Sequence, residues 1–237
     1  MNKTIARLHH RLAAIALAAC AFGLGAAHAG TVQITVTDKD GKPAADVVVL
    51  VDSASKPAPQ TASAPVLIVQ EGSRFVPYLT VVATGSTVRF VNRDGYDHHV
   101  RSLPSGPLGS TPPVKDFELR LDAPAGAAPV DEYKTAPRKR SGTTQADVVV
   151  DKPGAVTLGC HLHASMRGHL YASPTPWFAK TDADGIARID GVPDGSAELR
   201  LWHPDQLQDQ PALRVQVGTA TVKTEGQLNF SPRRRRS

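Results

Sequence analysis

The chain has 237 residues, with 27 Lys and Arg against 22 Asp and Glu, 41% hydrophobic residues, and 19 each of Gly and Pro. That length allows one large or two small domains. Abundant Gly and Pro, with Val and Thr runs in place of long amphipathic stretches, point to an all-β chain rich in turns. The net charge of +5 is carried by the two ends, three positive residues before Gly30 and four at Arg233 to Arg236, so the body between them is −2. This excludes the basic surface of a nucleic-acid-binding protein.

Residues 1–29 read as a cleaved secretory signal. Lys3, Arg7 and Arg11 form a positive start, an apolar run follows from 12 to 25, and Ala27-His28-Ala29 supplies a small-x-small cleavage motif before Gly30. The run is too short for a transmembrane span, so the expected location is the periplasm. A rival reading is a lipid anchor on Cys20, preceded by Leu17-Ala18-Ala19. Cleavage after Ala29 leaves Cys160 as the only cysteine, unable to form an internal disulfide. A lone thiol in an oxidising compartment is vulnerable unless a metal holds it; the plainer alternative is an inert buried cysteine.

Residues 31–37 alternate, with Val32, Ile34 and Val36 on one face, as in a half-buried strand. A turn at 38–41 leads to a second strand at 45–51, and residues 53–64 form a Ser/Ala/Pro-rich linker. Strands are expected at 65–70, 78–83 and 87–92, the last with Val88 and Phe90 on one face. A turn at 92–95 precedes an extended segment from His98 to Arg101. Residues 103–145 carry the weakest pattern. They include Pro112-Pro113 and a basic cluster, Arg138-Lys139-Arg140, in what composition marks as a mobile loop. Within them only 115–121 reads as a strand.

Further strands are expected at 146–150 and 155–160, from Leu170 onward, and at 177–181, 186–189, 197–202, 212–217 and 227–230. Turns fall at Pro153-Gly154, 182–185 and 193–195. Residues 231–237 form a basic, disordered tail suited at most to weak contact with an anionic lipid surface or an acidic partner.

The chemistry concentrates between Cys160 and Gly168, where Cys160, His163 and Met166 follow the spacing C-x2-H-x2-M. A second source of imidazole lies upstream at His98-His99. One thiolate and two imidazoles with a weak thioether make the blue-copper ligand set. Residues three apart on a strand point to opposite faces, so these donors converge only if a loop follows Cys160; Gly168 and the short side chains of Ala164 and Ser165 permit one. The candidate metal ligands are therefore Cys160, His163 and Met166, with the second imidazole from His98 or His99. Soft sulfur donors favour Cu(I), and imidazoles accept either oxidation state. Structural zinc sites are mostly built from two or more cysteines, and here one remains. Ligation needs deprotonated Cys160 and neutral histidines, so it weakens in acid.

His161, His169 and His203 read as surface or supporting groups with at most weak copper affinity. Residues 182–185 lack the Glu that completes a calcium loop and read as a turn. Trp177 and Trp202 read as core or interface aromatics. A nucleophilic Cys160 with His98 as base has no oxyanion arrangement beside it. No catalytic residue is assigned, and the chain is not expected to be an enzyme.

These segments carry a family resemblance. Gly85-Ser86-Thr87-Val88-Arg89-Phe90-Val91-Asn92 resembles the G-x-x-V-x-(F/W)-x-N strand of cupredoxins, in which the first ligand histidine follows six residues after the Asn, at His98. Residues 152–160 resemble the family's P-G-x-(Y/V)-x-(Y/F/L)-x-C strand, and 160–168 its C-x2-H-x2-M-x-G loop. Met166-Arg167-Gly168 is similar to the amicyanin variant found in methylamine-oxidising systems. His99 stands where the family often has Asn, and Ala164 where it often has Pro. Residues 65–173 thus resemble a cupredoxin of the amicyanin, plastocyanin and pseudoazurin group.

The flanks resemble a carboxypeptidase-regulatory-like, or transthyretin-like, β-sandwich. Residues 30–52 match its opening strand, Asp-Gly-Lys-Pro turn and second strand. Its later signatures stand at Thr181-Asp182-Ala183-Asp184-Gly185 and Gly191-Val192-Pro193-Asp194-Gly195.

The resemblances imply an all-β protein in which a Greek-key cupredoxin sandwich is inserted in, or packed on, a second transthyretin-like or Ig-like sandwich. The segments would be 1–29 signal, 30–64 first part of the outer sandwich, 65–173 cupredoxin with an insertion at about 103–145, 174–230 remainder of the outer sandwich, and 231–237 tail. The alternative is three sequential β units sharing one core. The implied function is a periplasmic type 1 copper protein that carries single electrons on one copper ion. Its redox partner protein would dock near His163, framed by Leu162 and Ala164. Two other readings remain open: copper binding and delivery without electron turnover, and a metal-free interaction module.

Overall fold

The computed structural model describes residues 29–55, 57, 59–105, 110–126 and 142–233. The segment expected to be a secretory signal, up to residue 28 with Cys20, the cluster Arg138-Lys139-Arg140 and the tail from 234 lie outside the described residues. The protein is all-β: every regular element among those residues is a strand.

The alternation at the start of the chain becomes β1 (Ala29–Thr37), with Val32, Ile34 and Val36 fully buried between half-exposed neighbours. It is the middle strand of a three-stranded sheet, antiparallel to β13 (Ile186–Pro193) and parallel to β16 (Val222–Gln227). A four-stranded sheet, in the order β12 (Phe178–Lys180), β2 (Val48–Ser53), β14 (Gly195–Trp202), β15 (Leu213–Val217), shares its core. Ile34, Val49, Val51, Ile189 and Leu199 meet there.

The nine strands between β2 and β12 pair only with one another. They are β3 (Val66–Glu71), β4 (Arg74–Val76), β5 (Leu79–Ala83), β6 (Thr87–Asn92), β7 (His98–Leu103), β8 (Glu118–Leu121), β9 (Gln145–Val149), β10 (Gly154–Cys160) and β11 (Arg167–Ser173). One sheet runs β5-β11-β10-β7-β8 and the other β4-β3-β6-β9. Their inner faces enclose Ile68, Phe90, Val100, Leu121, Leu158 and Leu170. Each large apolar side chain buried this fully contributes about 1.5–3 kcal/mol relative to exposure. Cys160 and Met166 belong to the same cluster, so the candidate sulfur donors are set into the core itself.

A third apolar cluster joins the two pairs of sheets. Val48, Leu50 and Leu79 are buried there against Tyr78, Val81, Tyr171, Phe178 and Trp202. The segment leading through β2 is therefore buried on both faces, with Val47, Val49 and Val51 in one core and Val48 and Leu50 in the other. This explains why residues 47–51 are an unbroken apolar run rather than an alternation.

One expectation of local structure is corrected, and one short strand was not expected at all. The last strand is β16, at Val222–Gln227, and not residues 227–230. Its core-facing position is Gly226, where a β-carbon would meet Leu201 at 3.0 Å and Leu213 at 3.2 Å. A glycine that yields its place to neighbouring side chains leaves no apolar signal to read. Leu228 and Phe230 do pack on the core, but from beyond the strand. The short β4 has only Phe75 buried, too little for period-2 alternation to register. No helix among the described residues is long and apolar enough to cross a membrane.

Candidate metal centre

Three loops meet at one end of the inner pair of sheets. Cys160 is the last residue of β10 and His98 the first of β7, and the strands are held side by side with Cys160 opposite Val100. Alternation then turns His98 and Cys160 inward and His99 and His161 outward. Past Cys160 the chain leaves the sheet and turns, the Met166 amide donating to the His163 carbonyl at 3.0 Å, before re-entering as β11. Gly168 serves this return by close approach: a β-carbon there would lie 2.8 Å from the β-carbon of Phe75.

Three of the four candidate donors are brought within reach of one another. His98 Nδ1 lies 3.6 Å from Cys160 Sγ and His163 Nδ1 lies 3.4 Å from it, and the ligand atoms of all three residues fall within 4.8 Å of one another. Met166 is 1% exposed and packs in the cluster that holds Cys160. His99, the alternative to His98, faces away from this group, its Nε2 lying 2.6 Å from Glu118 Oε1.

These spacings can be tested against an ion. Bonds of about 2.0–2.1 Å to nitrogen and about 2.3 Å to sulfur, meeting at tetrahedral angles, separate the two donors by roughly 3.5–3.6 Å. The observed 3.6 and 3.4 Å between sulfur and nitrogen lie close to that edge. The donor set fits a first-row transition metal, and His98, Cys160 and His163 are the residues that would hold it.

Surrounding groups aim the donors. His98 Nε2 lies 2.9 Å from Asp94 Oδ2. A carboxylate accepting from one ring nitrogen fixes the tautomer and leaves the other nitrogen, here Nδ1, with its lone pair free. Asp94 is itself clamped: the Gly72 and Ser73 amides donate to its carboxylate at 2.6 and 3.0 Å, and its own amide donates to Asn92 Oδ1 at 2.9 Å. The Asn92 side-chain amide donates to the carbonyls of Tyr96, Leu121 and Asp122, tying the loop to the end of β8. Tyr96 lies against both candidate imidazoles, 5.3 Å from the His98 ring and 5.0 Å from that of His163. The His99 amide donates to Cys160 Sγ at 3.4 Å, a hydrogen bond that stabilises negative charge on sulfur.

Burial pushes the His98 imidazole below its ordinary pKa, against the opposing pull of Asp94. It also works to raise the Asp94 carboxyl, but the Ser73 amide, His98 and the Gly72 amide outweigh it and hold the group below the usual carboxylate value. Both shifts favour a neutral imidazole beside a charged carboxylate at neutral pH, the states ligation requires.

Sequence reasoning placed Asn92 and Asp94 in a turn and gave Tyr96 and Ser73 no role. Asp94 sits four residues before His98 with no periodic pattern to link them; a carboxylate shortly before a candidate ligand histidine is the one local signal that could have drawn notice.

No protein-family model matches this chain, and no curated protein matches it. Solved structures do. The chain is similar to a Cu-containing nitrite reductase (NirK) from Thermus scotoductus SA-01, at 20% identity over 48% of this chain and 25% of that one, with a TM-score of 0.33. It is similar to the Cu(I) form of an amicyanin mutant, at 18% identity over 53% of this chain and 98% of that one, with a TM-score of 0.31. It is also similar to a purple cupredoxin from Nitrosopumilus maritimus, at 14% identity over 46% of this chain and 99% of that one, with a TM-score of 0.32. The match spans a quarter of the nitrite reductase chain.

Proposed function

We propose that this protein is a type 1 copper protein of the cupredoxin family that carries single electrons in the periplasm. One observation carries the reading: a single thiolate and two imidazole nitrogens converge with the edge lengths of one ion's coordination sphere, next to a buried methionine. A bound copper ion would cycle between Cu(I) and Cu(II) there. The protein's own part is to keep the donors still. The Asp94 clamp orients His98, the His99 amide stabilises the sulfur, and the core excludes water from Cys160, which is 4% exposed. With one cysteine and a thioether, the donor set suits copper better than zinc.

The periplasmic assignment rests on the signal-like residues 1–29. His163 is only partly buried, and Leu162 beside it is 41% exposed, which together suit the docking face of a redox partner protein through a small, transient contact. The protein is read as a carrier, with no catalytic residues.

The test is addition of Cu(II) to the full chain. The reading expects an intense thiolate-to-copper absorption band that bleaches reversibly with a reductant and is absent in Cys160→Ser. Tight Cu(I) binding without the band would replace this reading with copper delivery. Failure to bind in either oxidation state would leave a metal-free interaction module. A band that survives in Cys160→Ser would overturn the ligand assignment.

A further inference from the structure

The outward-facing partners of the two inward donors form a second group. His99 follows His98 and His161 follows Cys160, so both project from the opposite face of the β7–β10 ladder. The backbones are locked together, the His161 amide donating to the His99 carbonyl at 2.8 Å. Their rings lie 5.6 Å apart, nearly edge to face. Glu118, on the neighbouring β8, brings Oε1 to 2.6 Å from His99 Nε2, and its side chain is 61% exposed.

We infer that His99, His161 and Glu118 form a second, solvent-facing site for a divalent first-row metal ion. A metal about 2.0–2.1 Å from an imidazole nitrogen lies roughly 3.2 Å from the ring centre. Two rings 5.6 Å apart would subtend roughly 120° at a shared ion once a nitrogen of each is turned toward it; as placed, only the ligand atoms of His98, Cys160 and His163 converge among the described residues. The 4.8 Å between the rings of His98 and His163 corresponds to roughly 100° on the same reckoning. His99 and Glu118 are already in contact, and binding exchanges the proton between them for the ion. His161 is exposed, and rotation about its two side-chain torsions supplies the remaining adjustment. Imidazole and carboxylate donors suit Cu(II), Ni(II) and Zn(II), and Cu(II) binds most strongly in that series.

Arg101 and Arg120 stand near His99 and oppose a cation, so the donor bonds must carry the affinity. The site is joined to the first by the Cys160–His161 peptide link and by the His99 amide that donates to Cys160 Sγ. If the first site is the copper centre proposed above, a cation held at the second favours its reduced, less charged state and raises its potential.

The experiment uses the full chain carrying Cys160→Ser, which removes the thiolate and so does not depend on the blue-copper reading. Titration with Ni(II) or Cu(II), followed by calorimetry and, for Cu(II), by electron paramagnetic resonance, is expected to show one ion with nitrogen hyperfine structure. Adding His161→Ala, a change at an exposed side chain, should weaken that ion roughly tenfold or more, and Glu118→Gln should weaken it by a smaller factor. Binding unchanged by His161→Ala, or no binding by the Cys160→Ser chain, overturns the proposal. In the wild-type chain loaded with one copper, Zn(II) should raise the midpoint potential only while His161 is present. Absence of a redox-active first copper would count against the function proposed above and leave the calorimetric result standing.

Discussion

His169 lies on β11 where the two pairs of sheets meet. Its ring stands edge-on to Tyr78 at 5.1 Å, with Trp202 at 6.5 Å, and its Nδ1 is 3.4 Å from Thr157 Oγ1. Burial lowers its pKa from 6.5 to about 4; Asp205 pulls the other way, while His203 and Arg167 add to the lowering. In the unfolded chain the ring titrates near its ordinary value of about 6.5. Between that pH and about 4 the unfolded chain therefore binds a proton that the folded chain refuses. The contribution is intact above about pH 6.5 and is lost as pH falls through the window. A drop of about 2.5 units, at 1.36 kcal/mol each, sets a ceiling of about 3 kcal/mol. The ring is not wholly enclosed, so solvent screening reduces the loss at pH 4.5 to about 2 kcal/mol.

The perturbation that isolates this effect is His169→Phe, which keeps an aromatic ring in the contact and removes the titration. Urea unfolding of the metal-free chain at pH 7.5 and 4.5 is the assay. The wild type should lose about 2 kcal/mol more than the variant between the two conditions. His98 and His99, whose pKa values are also lowered chiefly by burial, titrate in both proteins and cancel in the difference, whereas His203 interacts with His169 and its share belongs to the effect being measured. Equal losses would refute the account of His169 as a histidine held neutral by the seam between the sheets.

Two further outcomes follow from the metal centre. Asp94→Asn removes the charge that three donors share, and copper affinity measured by competition with a chelator should fall roughly 10–100-fold; unchanged affinity would show that His98 needs no such support. Gly168→Ala forces a β-carbon to 2.8 Å from that of Phe75, so the melting temperature should drop by an amount matching about 1–3 kcal/mol of overpacking. A melt superimposable on the wild type would mean that β11 and β4 part without cost.

Much of the site was legible because its chemistry is local. Cys160, His163 and Met166 lie within seven residues, and thiolate, imidazole and thioether at that spacing suggest one metal before any fold is known. The distant donor was harder. His98 and His99 are chemically identical in sequence, and the choice between them turns on which face of β7 looks inward. The Asp94 clamp was invisible for a different reason: its partners Gly72 and Ser73 lie in the turn between β3 and β4 while His98 begins β7, and no periodicity links a carboxylate to backbone amides about twenty residues away.

The strands show the same division. The alternation of Val32, Ile34 and Val36 marks β1 plainly because one of its faces is buried and the other is not. The apolar run at 47–51 announces a buried strand but not what buries it, since two different cores cover its two faces. Gly226 hides β16 altogether, because neighbouring side chains occupy the place its own would take.

By itself the sequence determined the all-β character, the sites of most turns and the chemical types of the candidate metal donors, because each depends on composition or on residues near one another along the chain. Only the tertiary structure decided that His98 rather than His99 joins Cys160, that Asp94 holds it, and that His99 meets His161 and Glu118 on the reverse face. Those facts depend on strand pairing and on the direction of each side chain, and both are set by which surfaces the folded sheets remove from water.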